Sequence, residues 1–303
     1  MSPPVDVVCL GLATADTIVV LPAWPEPDGR VVAERIVHAG GGPAASAAVT
    51  IAMLGGSVAL AAAVGEDDNG GLVRAELEAS GIDIGGLISL PGRTAESVIL
   101  VDRSTATRTI LHASGVVPSE LDAVSRSLCG TAAWVHVDHA GYLLATDVER
   151  SRLSVDAGNP IPDLSLDGLG LYAPTDDALV ERYPGREPIA AMRMALEEGA
   201  RRVVVTLGGE GAMAADASGA WRVRALGVAV ESTLGAGDVF HGALVASLAA
   251  GHPLPAALRR ANVAAALSCR AIDARSSIPT LPELEAALAT APAVEAIVLE
   301  PTA

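Results

Sequence analysis

A run of small residues followed at once by a carboxylate is the strongest chemical signal in this sequence. The run is TLGAGD at residues 233–238, and an alanine-rich stretch follows it. Small residues let the backbone approach a ligand closely, and the N–H groups that begin a helix attract anions. The pattern predicts an anion-binding backbone made by Gly235, Ala236 and Gly237, with Asp238 in the first helical turn.

A carboxylate at that position has a definite chemical use. Asp238 can accept the proton of a hydroxyl group while that hydroxyl attacks a phosphoryl group. The neighbouring N–H groups would stabilise the charge that develops on the phosphoryl group during transfer. The motif alone also fits a helix N-terminal cap in which the glycines only allow close packing.

Three further segments place polar or glycine-rich sequence where a ligand would bind. The sequence GGGPAASAA at residues 40–48 opens a predicted helix, and Asp16 follows the first apolar run, where open α/β sheets bind ligands. The sequence TLGGEG at residues 206–211 follows another apolar run, and its glycines, which have no side chains, would let a nucleotide lie against the backbone. Each segment is weak evidence alone, and their combination favours the ligand-binding interpretation of residues 233–238.

The composition limits the class of protein. Half of the 303 residues are apolar and only 2% are aromatic, so small aliphatic residues must build the core. The net charge of -16 repels nucleic acid, and no apolar run is long enough to span a membrane. Three widely spaced cysteines match neither a zinc site nor a disulfide framework. We therefore expect a cytoplasmic protein with reduced thiols that binds neither nucleic acid nor a membrane.

Apolar runs alternate with helical segments along most of the chain. Strands are predicted at residues 5–12, 58–64, 133–137, 153–156, 170–173 and 203–206. Helices are predicted at residues 43–54, 69–80, 236–250 and 254–267. This alternation predicts an α/β protein with a parallel sheet and helices on both faces.

Two stretches break the alternation and lack helical periodicity. Residues 18–38 are proline-rich between β-prone flanks, and residues 97–112 fit a hairpin around a polar turn. Together they predict a small β-sheet outside the main one, which would serve as a lid over a binding site. An ordinary surface hairpin is the alternative.

With these motifs in this order, the chain resembles the ribokinase-like (PfkB) family of carbohydrate kinases. The resemblance rests on GGGPAASAA, TLGGEGA, TLGAGDVFHGAL and ANVAAALSC and spans nearly the whole chain. Within the family, GGGPAASAAV, GAGDVFHGAL and RSSIP look most similar to the sulfofructose kinases and, more distantly, to ketohexokinase. The resemblance implies one domain over residues 1–303, a Rossmann-like αβα sandwich with a mostly parallel central sheet. A β-sheet lid, inserted at about residues 14–38 and 95–113, would join two copies into a homodimer.

The resemblance also implies which residues act. Asp238 would be the catalytic base, and Gly235, Ala236 and Gly237 would form its anion hole. Sugar contacts would come from Asp16, Gly41, Gly42, Ser46, Arg30, Arg108, His112 and Asp138. ATP contacts would come from Thr206, Gly208, Gly209, Gly211 and Asn262.

Three positions depart from the family's pattern. Ser46 stands where many members have an asparagine, although sulfofructose kinases also carry a small hydroxyl residue there. The N-x-x-E motif that organises Mg²⁺ through water is absent, so Asp176 or Asp177 would take that role; a Thr175 cap with two acids in the first turn is the alternative. Ser232 replaces an aspartate that helps to hold a monovalent cation, which predicts weak or no activation by potassium.

Charges near the expected binding edge bear on the substrate. Asp16 and Asp138 each follow a strand, so both carboxylates would point into one crevice, accept hydrogen bonds from sugar hydroxyls and repel anions. Arg30 and Arg108 on the lid would act in the opposite direction. The balance predicts phosphorylation of a neutral sugar of ketose or pentose type, with ATP and Mg²⁺ as cofactors.

Other functions stay open at this point. A sulfofructose kinase fits the most similar branch, whereas few aromatic residues are present to stack on the base of a nucleoside. A non-catalytic sugar-binding regulator would have no need for the carboxylate of Asp238. A Rossmann dehydrogenase is disfavoured because no G-x-G-x-x-G follows the first strand.

Overall fold

The structure, a computed structural model, describes residues 5–105, 107–273 and 275–298. Within these ranges the chain forms a large and a small β-sheet, with α-helices packed on the large one. The strands are β1 Val7–Leu10, β2 Thr14–Leu21, β3 Arg35–Gly41, β4 Val58–Gly65, β5 Asp83–Leu90, β6 Glu96–Asp102, β7 Thr107–Ala113, β8 Trp134–Val137, β9 Leu153–Ala157, β10 Leu171–Pro174, β11 Arg202–Thr206, β12 Ala212–Asp216, β13 Gly219–Val223 and β14 Val294–Ile297. The α-helices are α1 Pro43–Met53, α2 Asp68–Ala79, α3 Ala123–Thr131, α4 His139–Tyr142, α5 Asp176–Arg182, α6 Pro188–Glu197, α7 Ala236–Ala249, α8 Leu254–Ser268 and α9 Leu281–Leu288.

The large sheet has ten strands in the order β14-β13-β12-β11-β10-β9-β8-β1-β4-β5. All neighbours from β11 to β5 are parallel, and β12, β13 and β14 extend one edge in antiparallel fashion. β1 and β4 are buried along their whole length because helices cover both faces of the sheet, which explains their continuous apolar sequences. The predicted αβα sandwich with a mostly parallel sheet is confirmed.

The strand order reverses at β1, which lies between β4 and β8. Reversals of this kind open a crevice at the carboxyl ends of the strands, where open α/β sheets bind ligands. α1 and α7 pack together on the face of the sheet beside this crevice. A Cβ on Gly242 of α7 would lie 2.6 Å from the carbonyl oxygen of Ala47 in α1, so only glycine allows this approach. The contact fixes the position of α7 relative to α1.

The small sheet, hereafter the lid sheet, has the order β3-β2-β6-β7. β2 is parallel to β6, and the two outer pairs are antiparallel. The predicted segments 14–38 and 95–113 contain these strands except for the last residues of β3. One face of the lid sheet is buried, and Ile272 from the loop after α8 packs against it. The buried cluster comprises Ile18, Val20, Ile99, Val101 and Ile272.

All three cysteines lie in the interior of the protein. Cys9, Cys129 and Cys269 are free and buried. Burial raises the pKa of the Cys129 thiol to about 11, so this thiol stays protonated at neutral pH. No helix in the described part of the chain is long and apolar enough to cross a membrane.

Candidate active site

The start of α7 leaves backbone donors free beside open space. Gly235 precedes the helix with φ 69°, a left-handed conformation that favours glycine. The N–H of Ala236 donates to the carbonyl oxygen of Thr233 at 3.3 Å, whereas no backbone hydrogen bond of the described residues uses the N–H of Gly237 or Asp238. A Cβ on Gly237 would have no heavy atom within 4 Å. Free N–H groups at the N-terminus of a helix of 14 residues can bind an anion.

Asp238 lies in the first turn of α7 in a strongly acidic environment. Burial raises the pKa of its carboxyl group well above the usual value, and the carboxylates of Asp156 and Asp138 raise it further. The guanidinium of Arg275 acts in the opposite direction, while Asp16 adds a smaller upward effect on this pKa. A carboxylate with a raised pKa binds a proton more readily, which suits a general base.

The lid sheet presents a row of polar side chains beside the start of α7. Asp16 pairs in register with Ser97, and Ser97 pairs with His112, so the three side chains share one face. The same face packs against Leu234, which precedes α7. Thr14 Oγ1 donates to Asp16 Oδ1 at 2.8 Å, and Ser97 Oγ lies 3.3 Å from His112 Nδ1. The row supplies acceptors and donors of the kind that bind sugar hydroxyls.

The junction of β3 and α1 lies directly against this row. A Cβ on Gly41 would overlap Asp16 Oδ2, so glycine is needed for this contact. Gly42 caps α1 with φ 90°, again in the left-handed region. Ser46 is fully buried in the first turns of α1, and its Oγ accepts a hydrogen bond from Arg275 Nε at 3.3 Å. The structure thus places Asp16 against Gly41, and Gly42 and Ser46 follow at the start of α1.

The two arginines predicted to contact the sugar, Arg30 and Arg108, differ in position. Arg108 Nη1 donates to Thr233 Oγ1 at 2.6 Å, so β7 is hydrogen-bonded to the segment that leads into α7. Arg30 lies exposed in the loop between β2 and β3. The structure therefore brings only Arg108 to the edge of the site.

Asp138 has a different role from the one predicted. Its side chain is 1% exposed, and it accepts hydrogen bonds from four backbone N–H groups. Oδ1 accepts from Ala140 and Gly141, both at 2.9 Å, and Oδ2 accepts from Leu12 at 2.7 Å and Ala44 at 3.4 Å. These bonds occupy both oxygens and hold β1, α1 and α4 together. This geometry does not support the predicted sugar contact of Asp138, because its carboxylate is turned into the protein and accepts backbone hydrogen bonds.

Comparison with known proteins identifies the family. Residues 5–152 and 181–281, most of the chain, match the pfkB family of carbohydrate kinases. The chain belongs to this family. It is 25% identical to the ribokinase of Haemophilus influenzae over 292 residues, covering 90% of this chain and 95% of that protein. It is 30% identical to the ATP-dependent ribose-1-phosphate kinase of Halopiger xanaduensis over 290 residues, with the same coverage.

A solved structure gives the same result. The crystal structure of a putative ribokinase from Agrobacterium tumefaciens superimposes with a TM-score of 0.85 and 28% identity, covering 95% of this chain and 98% of that one. The ribokinase-like resemblance seen in the sequence is therefore confirmed. This pfkB protein is an ATP-dependent sugar kinase.

The segment after β11 offers bare backbone for the ATP of a pfkB kinase. Thr206 ends β11, and residues 208–210 form a single 3₁₀ turn. A Cβ on Gly208 or Gly209 would meet no heavy atom within 4 Å, so both glycines border open space. Gly211 has φ 101°, and a Cβ there would overlap the carbonyl oxygen of Val223. These features fit a nucleotide laid against the backbone.

Asn262 is buried on α8 close to this segment. Its Nδ2 donates to the carbonyl oxygen of Arg224 at 2.9 Å, which ties α8 to the chain after β13. The bond holds the Asn262 side chain beside the segment after β13. A direct contact of Asn262 with ATP stays a prediction.

The acids at the start of α5 fit Mg²⁺ only through water. Thr175 caps α5, with its Oγ1 accepting from the N–H of Ala178 at 3.2 Å. The oxygen Oδ1 of Asp176 is buried without a hydrogen-bond partner, whereas Asp177 is exposed. Among the described residues no group of three or more ligating side chains is arranged to hold a metal. Asp176 is therefore the better candidate to orient a metal-bound water, and the helix cap predicted as its alternative is also present.

Two residues of this pfkB site were missed from the sequence. Ser97 could have been found from the two-residue alternation of its hairpin, which puts it on the face of Asp16 and His112. Arg275 is 9% exposed and donates hydrogen bonds to Ser46 and to the carbonyl oxygen of Gly41. It lies in a loop without periodicity, so no local pattern indicates its burial.

Proposed function

We propose that this kinase transfers the γ-phosphoryl group of ATP to a hydroxyl of a neutral ketose or pentose, with Asp238 as the general base. The observation that carries the proposal is the start of α7. There, Asp238 with its raised pKa adjoins free N–H groups and the open space at Gly237. This arrangement combines a proton acceptor with an anion-binding backbone in one helical turn.

The sugar would lie between the lid sheet and α7. Asp16, Ser97 and His112 would bind its hydroxyl groups and orient one of them toward Asp238. The carboxylate of Asp238 accepts the proton of that hydroxyl as its oxygen attacks. The N–H groups of Gly237 and Asp238 stabilise the negative charge on the phosphoryl group during transfer. ATP supplies the phosphoryl group, and Mg²⁺ oriented through Asp176 would neutralise part of its charge.

The charges around the site favour a neutral acceptor. The carboxylates of Asp156 and Asp16 both raise the pKa of Asp238, and the guanidinium of Arg275 lowers it. An anionic substituent on the sugar would meet this excess of carboxylates. A phosphorylated sugar is the second candidate, supported by Arg108 at the edge of the site and by the likeness to a ribose-1-phosphate kinase.

The lid sheet supports a homodimer as a further part of the proposal. Its outer face, opposite Asp16, carries exposed apolar side chains, with Ile36 61% exposed, Leu111 54% and Val98 39%. An apolar face of this kind is stabilised when a second copy covers it.

A substrate screen tests the proposed function. ATP consumption would be measured with fructose, ribose, ribose 1-phosphate, 6-deoxy-6-sulfofructose and adenosine, with Asp238→Asn as the inactive control. We expect the highest kcat/KM with a neutral sugar. Preference for the sulfonated or phosphorylated sugar would show that the arginines outweigh the carboxylates. No turnover with any acceptor would refute the proposed function.

A further inference from the structure

Arg275 is a buried cation in the loop after α8, and it joins three separate parts of the chain. Nη2 donates to the carbonyl oxygen of Gly41 at 2.8 Å, Nε donates to Ser46 Oγ at 3.3 Å, and Nη1 donates to Glu76 Oε1 at 2.8 Å. The Arg275 side chain is 6% exposed and that of Glu76 is 39% exposed. One guanidinium therefore connects the C-terminal loop to β3, α1 and α2.

These contacts reach the acceptor side of the site. The backbone of Gly41 lies against the carboxylate of Asp16, since a Cβ there would overlap Oδ2. A Cβ on Gly40 would overlap Arg275 Nη1 and would lie 2.5 Å from Glu76 Oε2, so the chain approaches the guanidinium as closely as glycine allows. Any displacement of the guanidinium would move Gly40 and Gly41, and with them the surface on which Asp16 rests.

We propose that Arg275 is a positioning residue of the site that binds the sugar. Its three hydrogen bonds fix Asp16 relative to Asp238, and its guanidinium supplies positive charge that offsets the carboxylates of the site. The inference rests on the proposed function and deepens it. Arg275 takes no part in proton transfer. It holds the junction of β3 and α1 against the C-terminal loop, so that a sugar bound to Asp16 presents its hydroxyl to the base.

The geometry requires arginine rather than any cation. The planar guanidinium directs N–H groups toward three partners at once, whereas an ammonium group acts as a point charge on a flexible stem. Arg275→Lys keeps the charge and loses the fixed geometry. Arg275→Met keeps the approximate length of the apolar stem and loses both. The two variants therefore separate positioning from charge.

The charge part of the inference can be read from a pH profile. The charged groups that act on Asp238 are Asp156 from β9, Asp138 before α4, Asp16 from β2 and Arg275 from the C-terminal loop. His241, on α7 itself, pairs with Asp156 through Nε2 and Oδ1 at 3.3 Å, and Glu76 pairs with Arg275. Without the guanidinium the pKa of Asp238 rises, and activity then needs a higher pH.

The kinetic experiment uses whichever of ribose, fructose and ribose 1-phosphate the wild-type enzyme turns over. Both Arg275→Lys and Arg275→Met should lower kcat/KM for the sugar by about 10–100-fold, the cost of a small displacement of reacting groups. The KM for ATP should stay within about twofold of wild type, since the contacts lie on the acceptor side. Only Arg275→Met should shift the acid limb of the kcat profile to higher pH, by roughly one unit.

Arg259→Met is the matched control. Arg259 donates to the carbonyl oxygens of Leu288, Ala291 and Pro292, away from the acceptor residues, so its loss reports general destabilisation. This variant should melt at a lower temperature with an unchanged KM for the sugar and an unchanged pH profile. If all three variants show the same kinetic changes, Arg275 is only a structural residue and the proposal fails.

Hydrogen–deuterium exchange gives a result that does not depend on turnover. Both Arg275 variants should exchange faster than wild type at residues 40–46, and Arg259→Met should not. Exchange at residues 40–46 that matches wild type in both Arg275 variants overturns the proposal. If wild-type protein turns over no sugar, the proposed function fails, while this measurement still decides whether Arg275 fixes the acceptor junction.

Discussion

Asp238 depends on its neighbours for the property that its proposed role requires. A free aspartate is a weak base at neutral pH, whereas burial and the nearby carboxylates of Asp156 and Asp138 raise the pKa of this one. The native state therefore binds a proton here more tightly than the unfolded chain. It follows that ionising Asp238 costs native-state stability as pH rises above the unfolded value.

Asp238→Asn should consequently lower kcat by ~10²–10⁴ and raise the melting temperature at pH 7. Asparagine cannot take the hydroxyl proton, and it removes a charge that the folded protein stabilises poorly. A coupled ADP assay and thermal melts at pH 5 and pH 8 measure both effects. The gain in melting temperature should be larger at pH 8, and near-normal turnover would remove Asp238 from the mechanism.

Gly237→Val should abolish turnover without unfolding the protein. A Cβ at this position meets no heavy atom within 4 Å, so the side chain is accommodated by the fold and fills the space proposed for the phosphoryl group. Gly71→Val in α2, where a Cβ also has open space, is the matched control and should keep its activity. An active, folded Gly237→Val enzyme would show that the phosphoryl group is bound elsewhere.

At the scale of elements, hydrogen bonds between different strands, helices and loops hold the site in place. Asp138 accepts four backbone hydrogen bonds and so joins the end of β1, the start of α1 and the start of α4. The lid sheet is tied to the segment before α7 by the bond from Arg108 to Thr233. Asp238, the proposed base, and the side chains proposed to bind the sugar therefore lie on different elements that share these connections.

Asp138→Ala should destabilise the protein on the order of 3 kcal/mol or more, because several buried N–H groups lose their acceptor. Chemical denaturation monitored by circular dichroism measures the change in unfolding free energy. The KM for the sugar of the folded fraction should change much less than in Asp16→Ala. A stable Asp138→Ala protein with a large rise in KM would restore the substrate role that the sequence predicted.

The sequence predicted most of these elements because their signals are local. The six strands and four helices predicted for the large sheet and its flanking layers are all present. Their observed ends differ from the predicted ends by at most two residues. The hairpin of β12 and β13 was missed because β12 is rich in alanine, lacks β-branched residues and so resembles helical sequence. β14 was missed because it adds to an edge that exists only after β13 has formed.

At the scale of the whole molecule, a net charge of -16 coexists with an apolar outer face on the lid sheet. Like charges keep separate copies apart, so association must come from a patch with little charge. The exposed apolar side chains of Ile36, Val98 and Leu111 form such a patch on the outer face of the lid sheet, which supports the proposed homodimer.

Leu111→Asp should convert the protein to a monomer in light scattering coupled to size exclusion. A carboxylate at this position would be buried unpaired in the interface. Leu72→Asp is the matched control, because Leu72 is 68% exposed on α2, outside the lid sheet, and its replacement should leave the dimer intact. A wild-type monomer at micromolar concentration would exclude the homodimer.

The sequence by itself determined the α/β class, the lid strands and the segments that carry Asp16, Gly41 and Asp238. Each of these follows from local features of the sequence: the spacing of apolar residues, the turn-forming residues, and the glycines at the start of a helix. The order of the motifs was enough to indicate the kinase family, which the comparisons confirm.

Only the tertiary structure decided which polar residues face the site. Asp16 and Asp138 each follow a strand, yet Asp16 belongs to the row of polar side chains on the lid sheet, whereas Asp138 is enclosed by backbone donors. Arg275 and Ser46 are 229 positions apart and hydrogen-bonded. The direction in which a side chain points, and the charges that surround it, depend on segments distant in sequence, and these are brought together only when the sheet closes its crevice at β1.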